Sequence, residues 1–250
     1  MSALASLLRT LTLAEFRLRD QGTVLGFLWT LLHPLLMFGV LWAVFGAWMG
    51  DRVHGFVGYL LTGVVLWNFF AGATAYGLTA LDRRKGLVLY MKCPTFLLVA
   101  AAVGSAWLSH LMELGLLAAV LVLAGHPPGA PLLLLPVLLA AETALALGAA
   151  LALSGLHVRA QDTERVWSIL LTAGFFVTPV FYTPDLMPAR WRGLLWLNPM
   201  TAVLACGRQV FLGSPAEPRA WLLLSGWAAL ALLGGAALFR GLARDAAERL

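Results

Sequence analysis

Long stretches without charge constrain the fold of this chain more than any other feature of its sequence. Asp, Glu, Lys and Arg are all absent from 21–50, 53–81, 93–112, 114–141, 143–158, 166–184 and 220–239. Because an α-helix needs about 20 apolar residues to cross a bilayer, several of these stretches are long enough on their own. Only 12% of the 250 residues are charged, against about 25% in soluble domains. The sequence therefore predicts an all-α integral membrane protein.

Six transmembrane helices account for these stretches, at about 25–48, 57–81, 96–123, 132–156, 165–182 and 220–239. Residues 4–20 place Leu and Ala at helical spacing opposite polar residues, which predicts an amphipathic helix in the membrane interface. Segment 183–219 contains two apolar pieces that are each too short to cross, and these predict two short re-entrant helices on the external side. Residues 1–250 are thus expected to form a single transmembrane domain.

The distribution of Lys and Arg predicts the orientation of the six spans. Of the 17 basic residues, 12 fall in the two termini and in the loops 82–95 and 157–165, which lie on one side of the membrane. Because cytoplasmic loops carry an excess of Lys and Arg, we expect a multi-pass protein of the cytoplasmic (inner) membrane with both termini cytoplasmic. The net charge of +5 then reflects topology, and nucleic acid is not an expected partner.

Three cytoplasmic segments are candidates for contact with a soluble partner. The loop DRRKGLVLYMKCP at 82–94 follows its charges with five apolar residues, which favours a short helix that inserts in a partner's groove over a solvated loop. The amphipathic helix at 4–20 either anchors the chain to the membrane surface or also docks a partner. The loop 157–165 has mixed charge and either pairs locally or makes a second contact.

Several kinds of catalytic and metal chemistry have no counterpart in the sequence. There is no G-x-x-x-x-G-K-[ST] motif, so the chain is not expected to carry its own ATPase, and there is no H-E-x-x-H zinc motif. Cys93 and Cys206 are predicted on opposite sides of the membrane, and two lone cysteines do not make a metal site. An intramembrane enzyme would need a catalytic constellation that the sequence does not provide.

Two acidic residues interrupt the predicted spans at similar depth. Glu113 lies in the third span, with His110 one turn away, and Glu142 lies in the fourth. Charged groups inside a membrane usually face protein or water and find partners. We favour a buried polar clamp of His110, Glu113 and Glu142 that joins the two spans. A proton relay is the alternative, and it would make the chain a proton-coupled transporter of a different class.

Aromatic residues are abundant in the predicted spans, and some lie deeper than an interfacial belt requires. Trp67, Phe70, Phe175 and Phe176 are in this deeper group, and Trp29 shares a helix face with His33. Aromatic faces can pack against the apolar faces of sugar rings while tolerating a polar cargo. Helix packing and contact with lipid are the simpler interpretations of any single residue among them.

Five pieces of the sequence together resemble one family of membrane proteins. They are RLRDQGTVLGFLWTLLHPLL at 17–36, GLVLYMKCP at 86–94, Arg159-x-x-Asp162, TPVFY at 178–182 and LNPM at 197–200. In order and spacing they are similar to the membrane subunits of type-2 ABC exporters for O-antigen, teichoic acid and capsular polysaccharide. The chain departs from the pattern at Gln161, where many relatives carry a second Arg.

The resemblance implies an exporter built from two copies of this permease and two separate ATP-binding subunits, with ATP and Mg bound by the partner and no cofactor bound by this chain. It implies a lipid-linked glycan as cargo; an ABC permease for a drug or lipid is the alternative. The residues implied for docking on the ATP-binding subunit are Arg9, Arg17, Arg83, Arg84, Lys85, Leu87, Leu89, Arg159 and Asp162. Those assigned to the substrate path are Trp29, His33, Trp67, Asn68, Phe70, Tyr76, Phe175, Phe176 and Tyr182.

Overall fold

Helices form nearly all of the described chain. The computed structural model describes residues 2–19, 28–53, 55–91, 93–127, 129–215 and 218–243, and these ranges contain no strand. The α-helices are α1 (Ser2–Arg19), α2 (Leu28–Met49), α3 (Phe56–Leu78), α4 (Ala80–Arg83), α5 (Lys85–Met91), α6 (Thr95–Leu123), α7 (Leu135–Arg159), α8 (Thr163–Val177), α9 (Ala189–Leu195), α10 (Pro199–Leu212) and α11 (Pro218–Leu242). Short 3-10 helices occupy Ala130–Leu134 and Pro184–Leu186. Residue 20, the predicted start of the first span at 25–27 and the tail 244–250 lie outside the described residues.

Five helical segments are long and apolar enough to cross a membrane among the residues that the structure describes. They are Leu28–Met49, Phe56–Leu78, Thr95–Leu123, Ala130–Arg159 and Pro218–Leu242. Each corresponds to one predicted span, with ends that differ by at most three residues where both are described. The prediction of an all-helical, multi-pass membrane protein is confirmed by this arrangement.

The fifth predicted span, 165–182, is the one without such a helix and corresponds to α8, which has 15 residues. At a rise of 1.5 Å per residue such a helix is about 22 Å long, shorter than the hydrocarbon core of about 30 Å. The helix ends where it does because Pro179 disfavours the α conformation at Thr178, whose ψ is 138°. The count of six spans therefore stays a prediction. So does the re-entrant placement of the two short helices α9 and α10, which do form within 183–219.

The central element of the bundle is α3. It packs against α2, α6, α7, α8 and α10, and most of its residues are buried. A helix that is apolar on all sides is suited to such a position. Close approach to α10 depends on Gly63, since a Cβ there would crowd the Val180 carbonyl oxygen and the Arg208 guanidinium. Because α3 contacts five other helices, it fixes where their side chains meet in the interior.

The helices α7 and α11 pack against each other along their length through glycines. A Cβ at Gly235 would overlap the carbonyl oxygen of Gly148, and a Cβ at Gly148 would overlap the backbone of Ala231. Small residues of this kind let two membrane helices approach at backbone distance.

Replacing Gly235 by alanine is expected to destabilise this helix pair by about 1–3 kcal/mol, because the added methyl group meets backbone that cannot move aside. Thermal unfolding of the detergent-solubilised chain measures the effect. The matched control is Gly234→Ala, one residue earlier, where an added Cβ has no neighbour within 4 Å. Equal melting of the two variants would contradict the close packing.

Contacts between helix ends give the bundle two distinct ends. At one end, which we call the basic end, α1 contacts Arg84, His157 of α7 contacts Asp82, and Arg159 approaches the carbonyl oxygen of Gly241. At the opposite end a cavity of about 980 Å³ is lined by residues from α2, α3, α6 and α10. Both described ends of the chain are therefore near the basic end.

Candidate functional site

A buried carboxylate joins α1 to the junction of α3 and α4 at the basic end. Glu15 is 5% exposed, and its carboxylate accepts a hydrogen bond from the Tyr76 hydroxyl at 2.8 Å. Its other oxygen accepts from Nε of Arg84, and a guanidinium nitrogen of Arg83 lies 3.9 Å away. We call these four residues the Glu15 network. It fixes the amphipathic helix α1 to the segment that leads into α5.

Arg83 is held in the Glu15 network by several interactions. Its guanidinium lies 3.5 Å from the centre of the Tyr76 ring, donates to the Tyr76 carbonyl at 2.7 Å and donates to the Thr79 hydroxyl. Burial lowers the pKa of Arg83 below its ordinary value, and the neighbouring Tyr76 and Glu15 oppose that shift. The guanidinium therefore serves the chain's own packing as well as presenting a charge at the surface.

A second polar contact ties α7 to α4. A ring nitrogen of His157 lies 2.8 Å from a carboxylate oxygen of Asp82. The histidine is buried and the aspartate is exposed. The segments 82–94 and 157–165, which the sequence predicts as two separate contacts for one partner, thus meet at their starting points.

The remaining residues predicted for docking lie on the surface of the basic end or of α1. Arg9 and Arg17 are exposed on α1, as are Lys85 and Leu89 on α5, while Leu87 is half-buried. Arg159 and Asp162 are exposed in the connection between α7 and α8. The structure therefore separates these residues: Arg83 and Arg84 lie in the Glu15 network, Arg159 approaches the Gly241 carbonyl oxygen and Leu87 packs against the core, whereas Arg9, Arg17, Lys85, Leu89 and Asp162 are exposed.

Aromatic side chains from α2, α3, α8 and the segment 178–182 form one continuous cluster. The predicted path residues Trp67, Phe70, Phe175, Phe176 and Tyr182 belong to it. Ring centres lie 5.8 Å apart for Trp67 and Phe175 and 5.7 Å apart for Phe175 and Phe176. We call this group the aromatic cluster. Five of the nine residues predicted for the substrate path thus lie together in the aromatic cluster.

Three members of the aromatic cluster were not singled out from the sequence. Phe45 stacks on Phe181 at 4.7 Å, and Phe181 contacts Phe175, Phe176 and Tyr182. Trp167 contacts Phe70 and donates from its indole nitrogen to the Thr74 hydroxyl at 3.0 Å. Phe181 lies inside the TPVFY piece, so the family pattern itself was the signal that could have pointed to it.

The other predicted path residues are elsewhere. Tyr76 belongs to the Glu15 network, and Trp29 is exposed on α2. His33 and Asn68 line a polar cavity of about 250 Å³ where the end of α1 meets α2, α3 and α6. The sequence therefore grouped into one path residues that the structure distributes over four places: the aromatic cluster, the Glu15 network, the surface of α2 and the polar cavity.

The predicted polar clamp is divided between a buried pair and the polar cavity. His110 Nε2 lies 3.6 Å from a carboxylate oxygen of Glu142, and these two side chains are 1% and 0% exposed. This pair joins α6 to α7, as the clamp hypothesis requires. Glu113 instead lines the polar cavity together with His110 and Arg19, which donates to the Ser109 hydroxyl.

A buried arginine holds the segment 178–182 against α3 and α10 at the other end of the aromatic cluster. Arg208 donates to the carbonyl oxygens of Pro179 at 2.7 Å and Val180 at 3.0 Å, and its guanidinium lies 3.3 Å from the centre of the Tyr59 ring. The Tyr59 hydroxyl in turn donates to the Tyr182 carbonyl at 2.8 Å. From the sequence, Arg208 is only one of the five basic residues outside the predicted cytoplasmic segments, and its burial is not predicted.

The TPVFY and LNPM pieces are in direct contact. The side chain of Asn198 accepts from the backbone N–H of Met200 at 3.0 Å, which caps α10, and its amide nitrogen donates to the Thr178 hydroxyl at 2.7 Å. Asn is a preferred N-cap residue, and Pro199 suits the first helical position. One asparagine thus starts α10 and fixes the end of α8.

The fold and these sites define a multi-pass helical membrane protein with a polar and aromatic interior. Within the described ranges no group of three or more His, Cys, Asp or Glu could hold a metal ion. The sequence model of the ABC-2 type transporter family matches residues 6–212, so the chain belongs to this family. It is accordingly a transport component, of a family whose permeases normally pair with an ATP-binding subunit.

Named relatives align with most of the chain. It is 28% identical over 207 residues to the O-antigen export system permease protein RfbA of Myxococcus xanthus, covering 82% of this chain and 80% of the relative. A protein of the same name from Klebsiella pneumoniae is 23% identical over 210 residues, covering 84% and 81%. The inner membrane transport permease YadH of Escherichia coli (strain K12) is 26% identical over 195 residues, covering 74% and 76%.

Proposed function

We propose that this chain is the permease subunit of an ATP-driven exporter that moves lipid-linked polysaccharide across the cytoplasmic membrane. The observation that carries the proposal is the aromatic cluster together with a partly exposed strip of the same helix, α3. This uncovered strip consists of Asn68, Gly72, Ala75 and Tyr76. The names of the O-antigen export relatives support the same cargo. In this proposal the chain has six spans, the basic end faces the cytoplasm, and both termini are cytoplasmic.

The uncovered strip of α3 gives a polar chain a surface to pass along. Gly72 and Ala75 are exposed although α3 is the central helix, and Asn68 and Tyr76 on the same side are half-buried. Aromatic rings can contact the apolar faces of sugars, while small residues leave room for a bulky polymer. A drug or lipid exporter, which is the alternative, has less need of such a wide and partly polar surface.

The exposed faces of α2 and α8 support assembly of two copies. Val40 and Val44 of α2 and Ile169 and Leu170 of α8 are each more than half exposed. A single chain leaves the strip of α3 open on its side, whereas a second copy would enclose a conduit between the two bundles. Symmetric pairing of identical chains is the commonest way to build such an assembly.

The energy source in this proposal is a pair of separate ATP-binding subunits at the basic end. Lys85, Leu89, Arg159 and Asp162 are exposed, and the contact between His157 and Asp82 brings their two segments together, so one such subunit could contact both. Buried apolar anchors normally contribute most of the binding energy, while rim charges orient the partners. Closure of the ATP-binding subunits would move α5, and the Glu15 network would pass that movement to α1 and α3.

Co-purification with the ATP-binding subunit encoded beside the gene tests the proposal. We expect a complex with two copies of each chain that hydrolyses ATP, and restoration of surface glycan when the gene is returned to a deletion strain. The pair Lys85→Glu and Leu89→Ala changes exposed residues of α5 and spares the Glu15 network, so it is expected to weaken the complex. Arg190→Ala, exposed on α9, is the matched control.

Two results would overturn the proposal. If the chain purified alone and no candidate ATP-binding subunit bound it, the proposed function as an ATP-driven exporter would be wrong. Transport without any ATPase, lost on Glu142→Gln, would instead establish a proton-coupled transporter that uses the buried His110–Glu142 pair. If the complex formed but the deletion strain kept its surface glycan, the cargo would be a drug or lipid.

A further inference from the structure

The polar cavity is lined by buried polar atoms that make no hydrogen bond within the described residues. His110 is 1% exposed, and neither of its ring nitrogens makes a hydrogen bond, although Nε2 lies 3.6 Å from Glu142, which does not line the cavity. Nδ2 of Asn68 and one carboxylate oxygen of Glu113 are likewise buried without a hydrogen-bond partner. Buried polar groups are nearly always satisfied by protein, water or ligand, because an unsatisfied group carries a large desolvation penalty. The cavity is therefore built to hold polar contents.

Both hydrogen-bond donors and hydrogen-bond acceptors line the cavity, and this restricts what it can bind. Arg19 has no acidic partner within 4 Å among the described residues and uses one of its five N–H groups on Ser109. Glu113 presents its carboxyl group to the same space. A cation would be repelled by Arg19, an acceptor-only anion would leave the acceptor oxygen of Glu113 unpaired, and an apolar ligand would leave both groups unpaired. A neutral ligand rich in hydroxyl groups satisfies both, because each hydroxyl donates and accepts.

The size of the cavity limits the ligand to a small one. Its volume of about 250 Å³ lies just below the range of roughly 300–1,000 Å³ that is usual for drug-sized ligands. Phe69 contributes an aromatic ring to the lining and stacks on His110 at 4.5 Å. One ring-shaped sugar unit matches this combination of space, aromatic surface and mixed donors and acceptors.

The cavity is continuous with the surface that the proposed function assigns to the cargo. Gly72 belongs both to the cavity lining and to the uncovered strip of α3, and His33 is exposed at the edge on α2. Asn68 lies between Trp67 and Phe69 in sequence, so one turn of α3 carries residues of the aromatic cluster and of the cavity. A polymer that passed along the strip would therefore meet both.

We propose that this cavity is a sugar subsite that takes one neutral, hydroxylated sugar unit, with Asn68 and Arg19 as hydrogen-bond donors and Glu113 as acceptor. The inference rests on the proposed function and deepens it, since it assigns a residue-level preference for uncharged sugars. His110 lies between the subsite and Glu142, and it stacks on Phe69 of the lining, so we infer that it holds Phe69 in position.

Sugar binding to the intact complex tests the subsite. The full chain with its ATP-binding subunit in lipid nanodiscs would be examined by saturation-transfer NMR with glucose, mannose, N-acetylglucosamine, glucose 6-phosphate and glucosamine. We expect saturation transfer to the three neutral sugars and about tenfold weaker binding of the two charged ones. Stronger binding of glucose 6-phosphate would show an anion site, stronger binding of glucosamine a cation site, and no transfer to any sugar would refute the subsite.

Substitutions locate the bound sugar. Asn68→Leu and Glu113→Leu each remove one hydrogen-bonding group and are expected to weaken binding about tenfold. Glu113→Gln keeps an acceptor oxygen and is expected to retain most of the affinity. The matched control is Ser105→Ala on α6, the helix that carries Glu113. The Ser105 hydroxyl donates to the Ala102 carbonyl, and Ser105 does not line the cavity. Equal losses in all four variants would refute the assignment to this cavity.

The failure of the subsite and the failure of the proposed function give different results. Surface glycan that depends on the gene, together with no sugar binding by the wild-type complex, would refute the subsite and leave the exporter function intact. Surface glycan that does not depend on the gene would refute the polysaccharide cargo, whatever the cavity binds.

Discussion

Replacing Glu15 by glutamine is expected to lower glycan export about tenfold while the purified complex continues to hydrolyse ATP. The carboxylate joins α1 to Tyr76 and Arg84, and the exposed α5 begins directly after Arg84. Loss of the charge weakens the hydrogen bond from a guanidinium, which contributes about 1.5–3 kcal/mol, equivalent to a factor of ten or more. Movement of α5 would then reach α1 less reliably, although the ATP-binding subunits are unchanged.

The measurement is the rate at which surface glycan appears, compared with the rate of ATP hydrolysis by the same variant. Asp51→Asn is the control, since Asp51 is exposed between α2 and α3 and has no basic partner within 4 Å among the described residues. A double variant with Arg84→Gln should lose little more than either single variant, because both remove the same contact. A parallel fall in export and hydrolysis would contradict this role for Glu15.

The transmembrane helices could be predicted because composition alone determines them. A run such as 57–81 has no charge and no break, and the structure places α3 at Phe56–Leu78. Backbone polar groups in hydrocarbon must be satisfied within the helix, so length and apolarity are nearly sufficient evidence. The span 165–182 was less secure, because it contains Pro179, which ends α8 early.

The roles of Arg83 and Arg84 could not be predicted from their local sequence. Both sit in a basic loop, and a basic loop is typical of a surface that binds a partner. Their partner Glu15 lies 69 residues before Arg84, and one sequence contains no information on which distant residues meet. Lys85 and Leu89, which have no such partner in the described structure, kept the exposed positions that the docking prediction requires.

The division of the predicted clamp has the same cause. Spacing along α6 shows that His110 and Glu113 are one turn apart, which suggested that they interact. The structure turns His110 towards Glu142 of α7 and leaves Glu113 at the polar cavity. The rotation of α6 about its axis is set by packing against neighbouring helices. The sequence of α6 alone therefore did not show which of its residues would face α7.

A signal for the buried arginine was present in the sequence and was missed. Arg208 interrupts the apolar run Met200–Leu212, and arginine is almost never fully buried unless its donors are satisfied. A charge inside a helix that is otherwise buried predicts a specific partner. Here the partners are carbonyl oxygens of the TPVFY piece, which the resemblance had already marked as informative.

Replacing Arg208 by leucine is expected to destabilise the protein by on the order of 3 kcal/mol or more. Two carbonyl oxygens would lose their donor, at about 1–3 kcal/mol for each group left unsatisfied. The contact with the Tyr59 ring, worth about 0.5–2 kcal/mol, would also be lost. Thermal unfolding of the detergent-solubilised chain measures the change, and export should fall with it because the aromatic cluster depends on Phe181.

Two further variants separate the shape of Arg208 from its charge. Arg208→Lys keeps the positive charge but lacks the planar group that donates to two carbonyls while stacking on a ring, so its stability should lie between those of leucine and arginine. Arg190→Leu, exposed on α9 with its guanidinium 5.5 Å from the Trp191 ring, is the control and should unfold with the wild type. If Arg208→Leu also unfolded with the wild type, the hydrogen bond between Asn198 and Thr178 would suffice to hold the segment, and Arg208 would then be free for a role in export itself.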